Sequence, residues 1–268
     1  MINKRGQVVI FVIIAIVVIA GIVAYILTRD SKVISLKDSS FEVEKVQTEV
    51  RTCVEDSLND AINLNGQSGG YFFPDKDFVL VSFPESASNR IAVPYYLIGE
   101  TVEFPNKLAL EEELSRGVNS QIVSCLELVK EDSSLLESFD YSEDKIEVKS
   151  YIFNDKIKFN IKIPLVLKNN QSFLLFNNIN LEKSSNYFKL YNLAVNLTEE
   201  QALHPSDFCI TCTEDLANFY NISISTKELD KDNNYVILYY LTKENSEDNL
   251  VEYFSFSHKL DFATENEE

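Results

Sequence analysis

The chain has 268 residues, of which 42 are Asp or Glu and 24 are Lys or Arg, for a formal net charge of -18. So acidic a chain repels phosphate backbones and anionic headgroups, which excludes nucleic-acid binding and sets the bulk of the chain away from a lipid surface. Hydrophobic residues make up 45% and aromatics 12%, enough to build a core, which excludes a disordered chain.

From Val8 to Leu27 no residue is charged. A helix of about 20 residues spans roughly 30 Å, the hydrocarbon thickness of a bilayer, so a transmembrane helix is expected over 7–28. Cleavable secretory signals have a shorter apolar region, about 7–15 residues, and end in a small-x-small site. Here the run ends in Ala24-Tyr25-Ile26-Leu27. Lys4 and Arg5 in front of it favour a cytoplasmic N-terminus, although Arg29, Lys32 and Lys37 follow it. Everything after Thr28 is then expected outside the cytoplasm, on a single-pass protein of the cell membrane.

Lys4-Arg5-Gly6-Gln7, set directly against this run, resembles the class III signal peptide of archaeal type IV pilin-like proteins. The resemblance implies cleavage between Gly6 and Gln7, a leader over 1–6, and a retained helix that anchors the subunit and self-associates in a filament core. Many such pilins carry Glu at the fifth mature position, where this chain has Phe11. The Cys53-Val54-Glu55 and Gly69-Gly70-Tyr71 stretches, with Cys125-Leu126 further on, are similar to uncharacterised anchored surface proteins of small-genome archaea. That likeness implies no activity.

A polar juncture over 29–40 leads into a predicted helix from Phe41 to Leu64. Its stripe is Val43, Val46, Val50, Cys53, Val54, Leu58, Ala61 and Ile62. Asn65-Gly66 ends it. Two extended runs, Phe78–Phe83 and Ile91–Ile98, read as a hairpin with Pro84 and Pro94 at irregular or edge positions. A helix from about Asn106 to Val129 carries Leu110, Leu114, Val118, Ile122, Cys125 and Leu126 on one line. Residues 29–135 thus read as a helix-hairpin-helix subdomain, and 136–268 as an α+β subdomain behind an acidic connector. In the second part, Ile146 to Phe153, Ile157–Leu167 and Phe173–Leu181 read as strands, with a turn at Asn154-Asp155. A helix is predicted over Tyr187–Gln201 and another after Pro205-Ser206, capped by Ser206 and ended by Asn221. Strands at Tyr235–Leu241 and Tyr253–Phe256 close the order. The fold class expected is α+β, with a single N-terminal transmembrane helix, long amphipathic helices and a mostly antiparallel sheet.

The four cysteines, Cys53, Cys125, Cys209 and Cys212, allow three pairings. Outside the cytoplasm disulfides are the default. Cys53 and Cys125 lie on the apolar stripes of two helices of one subdomain, and Cys209 and Cys212 are three apart, so Cys53–Cys125 and Cys209–Cys212 are the expected bonds. Cys-x-x-Cys near a helix start is also the redox spacing, but no thioredoxin-like strand pattern precedes it. A zinc site would need a further pair of ligands beside Cys209 and Cys212. Only His204 and His258 exist, and His204 makes an incomplete set. No Gly-x-Ser-x-Gly, phosphate loop, His-Glu-x-x-His or EF-hand pattern is present. No catalytic residue, metal or cofactor is therefore expected. Of the doublets Tyr95-Tyr96 and Tyr239-Tyr240, one member each should be core and one surface. Sequons stand at Asn170, Asn196 and Asn221.

The function expected is a membrane-anchored, pilin-like structural or adhesion subunit. Its partners are the membrane and other copies of itself, both through the N-terminal helix. The alternatives are an anchored extracytoplasmic receptor of unknown ligand that never polymerises and, last, a Cys-x-x-Cys redox protein.

Overall fold

The computed structural model describes residues 44, 47–72, 74, 77–82, 90–132, 139–167, 173–176, 178–204, 208–231, 234–245 and 250–260. The chain divides into two units, Met1–Arg51 and Thr52–Glu268. In the first, residues 44 and 47–51 are helical. The second holds α1 (52–67) and the elements β1 (Phe78–Ser82), β2 (Arg90–Ile98), β3 (Thr101–Val102), α2 (Lys107–Asp132), β4 (Phe139–Asp140), β5 (Glu147–Ile152) and β6 (Lys156–Lys162). It continues through β7 (Leu165–Leu167), β8 (Phe173–Phe176), β9 (Ile179–Ser184), α3 (Tyr187–Ala202), α4 (Ile210–Tyr220), β10 (Ser223–Lys231), β11 (Asn234–Glu244) and β12 (Val251–Leu260).

The transmembrane part of the expected fold is corrected. Among the described residues no helix is long and apolar enough to cross a membrane. The leader 1–6, the 7–28 segment and the juncture 29–40 all lie outside the described residues. The fold supported is α+β, with mixed sheets and helices packed on them.

The main sheet runs β1-β2-β12-β11-β10, with β3 beside β2. All its pairs are antiparallel except β2–β12, which is parallel. Strands from both sides of residue 135 therefore share one sheet, and 52–268 is a single unit. The central strand β12 buries both faces: Phe254, Phe256 and His258 on one, Ser255 and Ser257 on the other. Aromatic rings fill the first face, with Tyr239 stacked on Phe256 at 4.6 Å between centroids and Tyr96 5.2 Å from Phe256. Tyr96 and Tyr239 are core, while their neighbours Tyr95 and Tyr240 are half-buried.

Two small antiparallel sheets, β5-β6-β9 and β4-β7-β8, are built from the chain between β3 and β10. The β5–β6 turn at Asn154-Asp155 is closed by Phe153 N–H donating to Lys156 O, 2.8 Å. Ile157, Phe159 and Ile161 face inward at period two. The single run read over Ile157–Leu167 breaks at Pro164, which has no N–H for a ladder, and β7 joins a different sheet. β10 was not legible because its sequence SISTKELDK is polar on both faces, a pattern that an edge strand tolerates.

Helix α2 does more than pack. Its line Leu110, Leu114, Val118, Ile122 and Leu126 is fully buried. Beside that line, Glu111 Oε1 accepts Ile152 N–H (2.8 Å) and Ser115 Oγ accepts Ser150 N–H (2.9 Å). These helix side chains satisfy backbone donors of β5.

Candidate functional site

The predicted processing residues Gly6 and Gln7 lie outside the described residues. The four cysteines are all placed. Cys53 of α1 is bonded to Cys125 of α2, with Cα atoms 5.9 Å apart. Cys209 is bonded to Cys212 across the first turn of α4, with Cα atoms 5.4 Å apart. Cys53 is buried, whereas both sulfurs of the second pair belong to half-buried residues.

The stapled helix pair ends in the glycine loop. Gly70 N–H bonds back to Asn65 O at 2.8 Å, and Gly69 and Gly70 hold φ of 57° and 82°. That is the left-handed region, which glycine enters without cost. A Cβ at Gly69 would lie 2.6 Å from Pro94 Cγ and 2.7 Å from Ser255 O. One at Gly70 would overlap Leu110 Cδ2. Three buried tyrosine hydroxyls fix the surroundings. Tyr96 donates to Gly69 O (2.9 Å), Tyr191 to Pro105 O (2.5 Å), and Tyr187 to Asn65 Oδ1. Burial pushes the Tyr96 and Tyr187 phenols well above their ordinary pKa, with neighbouring phenols adding to it. Burial, helped by Glu199, raises Tyr191 to about 12. These groups stay neutral hydrogen-bond donors and rivet the loop, with the Glu113 carboxylate beside them adding to the upward shift of Tyr187.

At the opposite end of α3 a different arrangement stands. Gln201, only 2% exposed, donates from Nε2 to His204 O (2.8 Å) and accepts Cys209 N–H at Oε1 (3.1 Å). One side chain thus pins both ends of the 204–209 connection. Cys209 is the N-cap of α4, and its Sγ accepts Cys212 N–H at 3.3 Å. The cap therefore stands at Cys209 and not at the predicted Ser206, which lies outside the described residues. The ligand atoms of His204, Cys209 and Cys212 all lie within 4.8 Å of one another. Around them Leu203 and Ile210 are exposed, and Phe219 at the far end of α4 is 81% exposed.

Between these two ends, on the inner face of α3, Thr198 Oγ1 bonds both to Ala194 O (2.8 Å) and to His258 Nε2 (3.0 Å). The hydroxyl has one proton, which the carbonyl takes, so His258 donates from Nε2 and carries a bare Nδ1. That Nδ1 is buried without a hydrogen-bond partner. Burial depresses the His258 pKa to about 3. The imidazole is a neutral core residue and does not exchange protons near neutrality.

Two shallow clefts lie along α2. One of about 420 Å³ is lined by Phe72, Arg116, Asn119, Ser120, Val123 and Ser124, and one of about 550 Å³ by Glu127, Lys130, Tyr141, Ser142 and Glu143. Arg116 is already paired with Glu113 at 2.6 Å. At the second cleft Ser142 Oγ donates to Asp144 Oδ1 at 2.6 Å. Of the sequons, Asn170 lies outside the described residues, Asn196 Nδ2 donates to Tyr220 Oη (2.6 Å), and Asn221 is exposed at the left-handed cap of α4.

Gln201, Thr198 and His258 were not singled out from the sequence as site residues. A signal was present: Leu190, Ala194, Leu197 and Gln201 continue one helical stripe, and Phe254, Phe256 and His258 one strand face. A polar residue on a buried stripe marks a satisfied internal contact. No family model, no curated protein and no solved structure matches this chain.

Proposed function

We propose that the chain is an extracytoplasmic protein held at the cell surface, a pilin-like structural or adhesion subunit and not a catalyst. The observation that carries this reading is the pairing of all four cysteines into disulfides, a state that oxidising compartments favour and the cytosol reverses. The net charge of -18 suits a solvated surface outside the cell. The Lys4-Arg5-Gly6-Gln7 step supplies the pilin-like part of the proposal.

N-terminal sequencing of the protein from its native membrane fraction tests it. The expected first residue is Gln7, with Gly6→Leu blocking the cut. A native chain that still carries Lys4 and Arg5 sinks the pilin-like reading. Non-reducing peptide mapping of the same sample tests the location: free thiols at all four cysteines would place the chain in a reducing compartment. Sedimentation separates the two non-catalytic uses, since a structural subunit pellets as a polymer and a receptor does not.

A further inference from the structure

We infer that the corner formed by His204, Cys209 and Cys212 is a redox-gated site for a borderline or soft cation of the zinc type, closed while Cys209–Cys212 is oxidised and opened by a dithiol. The inference goes beyond the surface-subunit reading and does not depend on it.

Three observations carry it. The imidazole and both sulfurs come within 4.8 Å of one another, about 1 Å wider than the roughly 3.5–3.8 Å between neighbouring ligands of one tetrahedral ion, a gap that a turn of the exposed His204 side chain closes. The backbone that carries His204 and Cys209 is held by a buried side chain, because Gln201 bonds to His204 O at 2.8 Å and to Cys209 N–H at 3.1 Å. The Cys209 sulfur already accepts a backbone N–H of α4, from Cys212 at 3.3 Å, and such a contact favours a thiolate over a thiol. Two thiolates and one imidazole make three ligands. His204 is exposed, so the fourth position opens to solvent, to be filled by water or a small ligand. Soft donors select zinc, cobalt or copper(I) over calcium or magnesium.

The chemistry balances. A dithiol reduces the Cys209–Cys212 bond, giving up two electrons and two protons and becoming a disulfide, while the two cysteines become thiols. A divalent ion then displaces the two thiol protons and binds two thiolates and the neutral imidazole. Exchange with a second disulfide, which takes up the two electrons and is reduced to a dithiol, re-forms Cys209–Cys212 and expels the ion, because a disulfide offers no thiolate.

The test uses the full chain and cobalt(II), with a limiting water-soluble phosphine standing in for the dithiol. Alkylation mapping first selects the preparation in which Cys209 and Cys212 are free and Cys53–Cys125 is intact. Titration of that preparation should give one tetrahedral cobalt per chain, with a thiolate charge-transfer band that the oxidised chain lacks. His204→Ala should weaken binding at least about tenfold and change the ligand-field band. Cys209→Ser/Cys212→Ser, which leaves the other disulfide in place, should abolish the charge-transfer band. Three results would each overturn the site: no band in the selected preparation, cobalt bound equally by the double serine variant, or an unchanged affinity and spectrum in His204→Ala.

Discussion

The two disulfides of this protein do different work. Cys53–Cys125 spans 72 residues and joins two helices whose apolar lines are buried. Cys209–Cys212 spans 3 residues and sits half-buried on one turn of α4. Cross-linking removes freedom from the unfolded chain in proportion to the logarithm of the loop, so the first bond is a staple and the second contributes little to stability. Their surroundings agree with this division. At the other end of the helix pair that the first bond joins, roughly 20 Å along the helices, lie a glycine loop and neutral phenols, all committed to internal hydrogen bonds. Beside the second lie an exposed imidazole and a backbone donor aimed at sulfur. A long-loop bond between buried helices is structure, and a short-loop bond at a helix start is available for chemistry.

The widest test of that contrast is Cys53→Ser. The chain-entropy estimate for its loop is about 4 kcal/mol, a large share of a domain's usual margin. Urea unfolding should show this loss with an otherwise native sheet signal. A loss under about 1 kcal/mol would mean that the helix pair holds without its staple.

Next in size is Gly70→Ala. The substitution asks alanine to adopt φ 82° and sets a methyl group onto Leu110, in the line that α2 buries. Left-handed strain and overpacking together should cost about 3 kcal/mol. Thermal unfolding checks it. A tolerated alanine would show that the loop shifts freely, and the glycine-loop end of the helix pair would then be less rigid than its three tyrosine contacts imply.

His258 lies between the two ends and reads the core by pH. Its folded pKa of about 3 is depressed from an ordinary value near 6.5. For a base the depressed value means that the unfolded chain binds the extra proton. Stability is therefore complete above pH 6.5 and falls as pH drops towards 3. Between pH 7.5 and 5 the loss from this one group should be about 2 kcal/mol. His258→Gln keeps a donor for Thr198 and removes the titration, so its stability should vary less with pH by that amount. Parallel pH profiles for the two proteins would show that the ring protonates in place.

Much of this was legible in the sequence where contacts are local. The α2 stripe repeats every four residues, and the β6 face every two, because side-chain direction follows backbone geometry alone. The cysteine pair within one turn is local in the same sense. Pairing of β2 with β12 was not legible, since more than 150 residues separate Tyr95 from Ser257 and nothing in either strand names the other. β10 escaped because an edge strand needs no apolar face. The Gln201 clamp escaped for a related reason: its partners are backbone atoms of His204 and Cys209, and backbone atoms have no sequence signature. The expected transmembrane helix rested on composition, and no described helix has that character.

The smallest predicted effect is the most specific. The entropy estimate for the Cys209–Cys212 loop is at most about 2 kcal/mol. Cys212→Ser should lose about that much. Cys209→Ser should lose less, about 1 kcal/mol or under, although it breaks the same bond. The reason is position: Cys209 is the N-cap of α4, and its sulfur accepts Cys212 N–H. Serine is among the best N-cap residues, and its oxygen replaces a weak sulfur acceptor at a donor that the helix cannot satisfy itself. Serine at 212 gains no such role, because that position lies inside the first turn. The comparison cancels the loop entropy, which is common to both variants, and leaves the cap. Denaturant midpoints of the two single variants would measure it. Equal losses would mean that the sulfur is no cap, and that the backbone contact at the proposed metal corner is geometric coincidence.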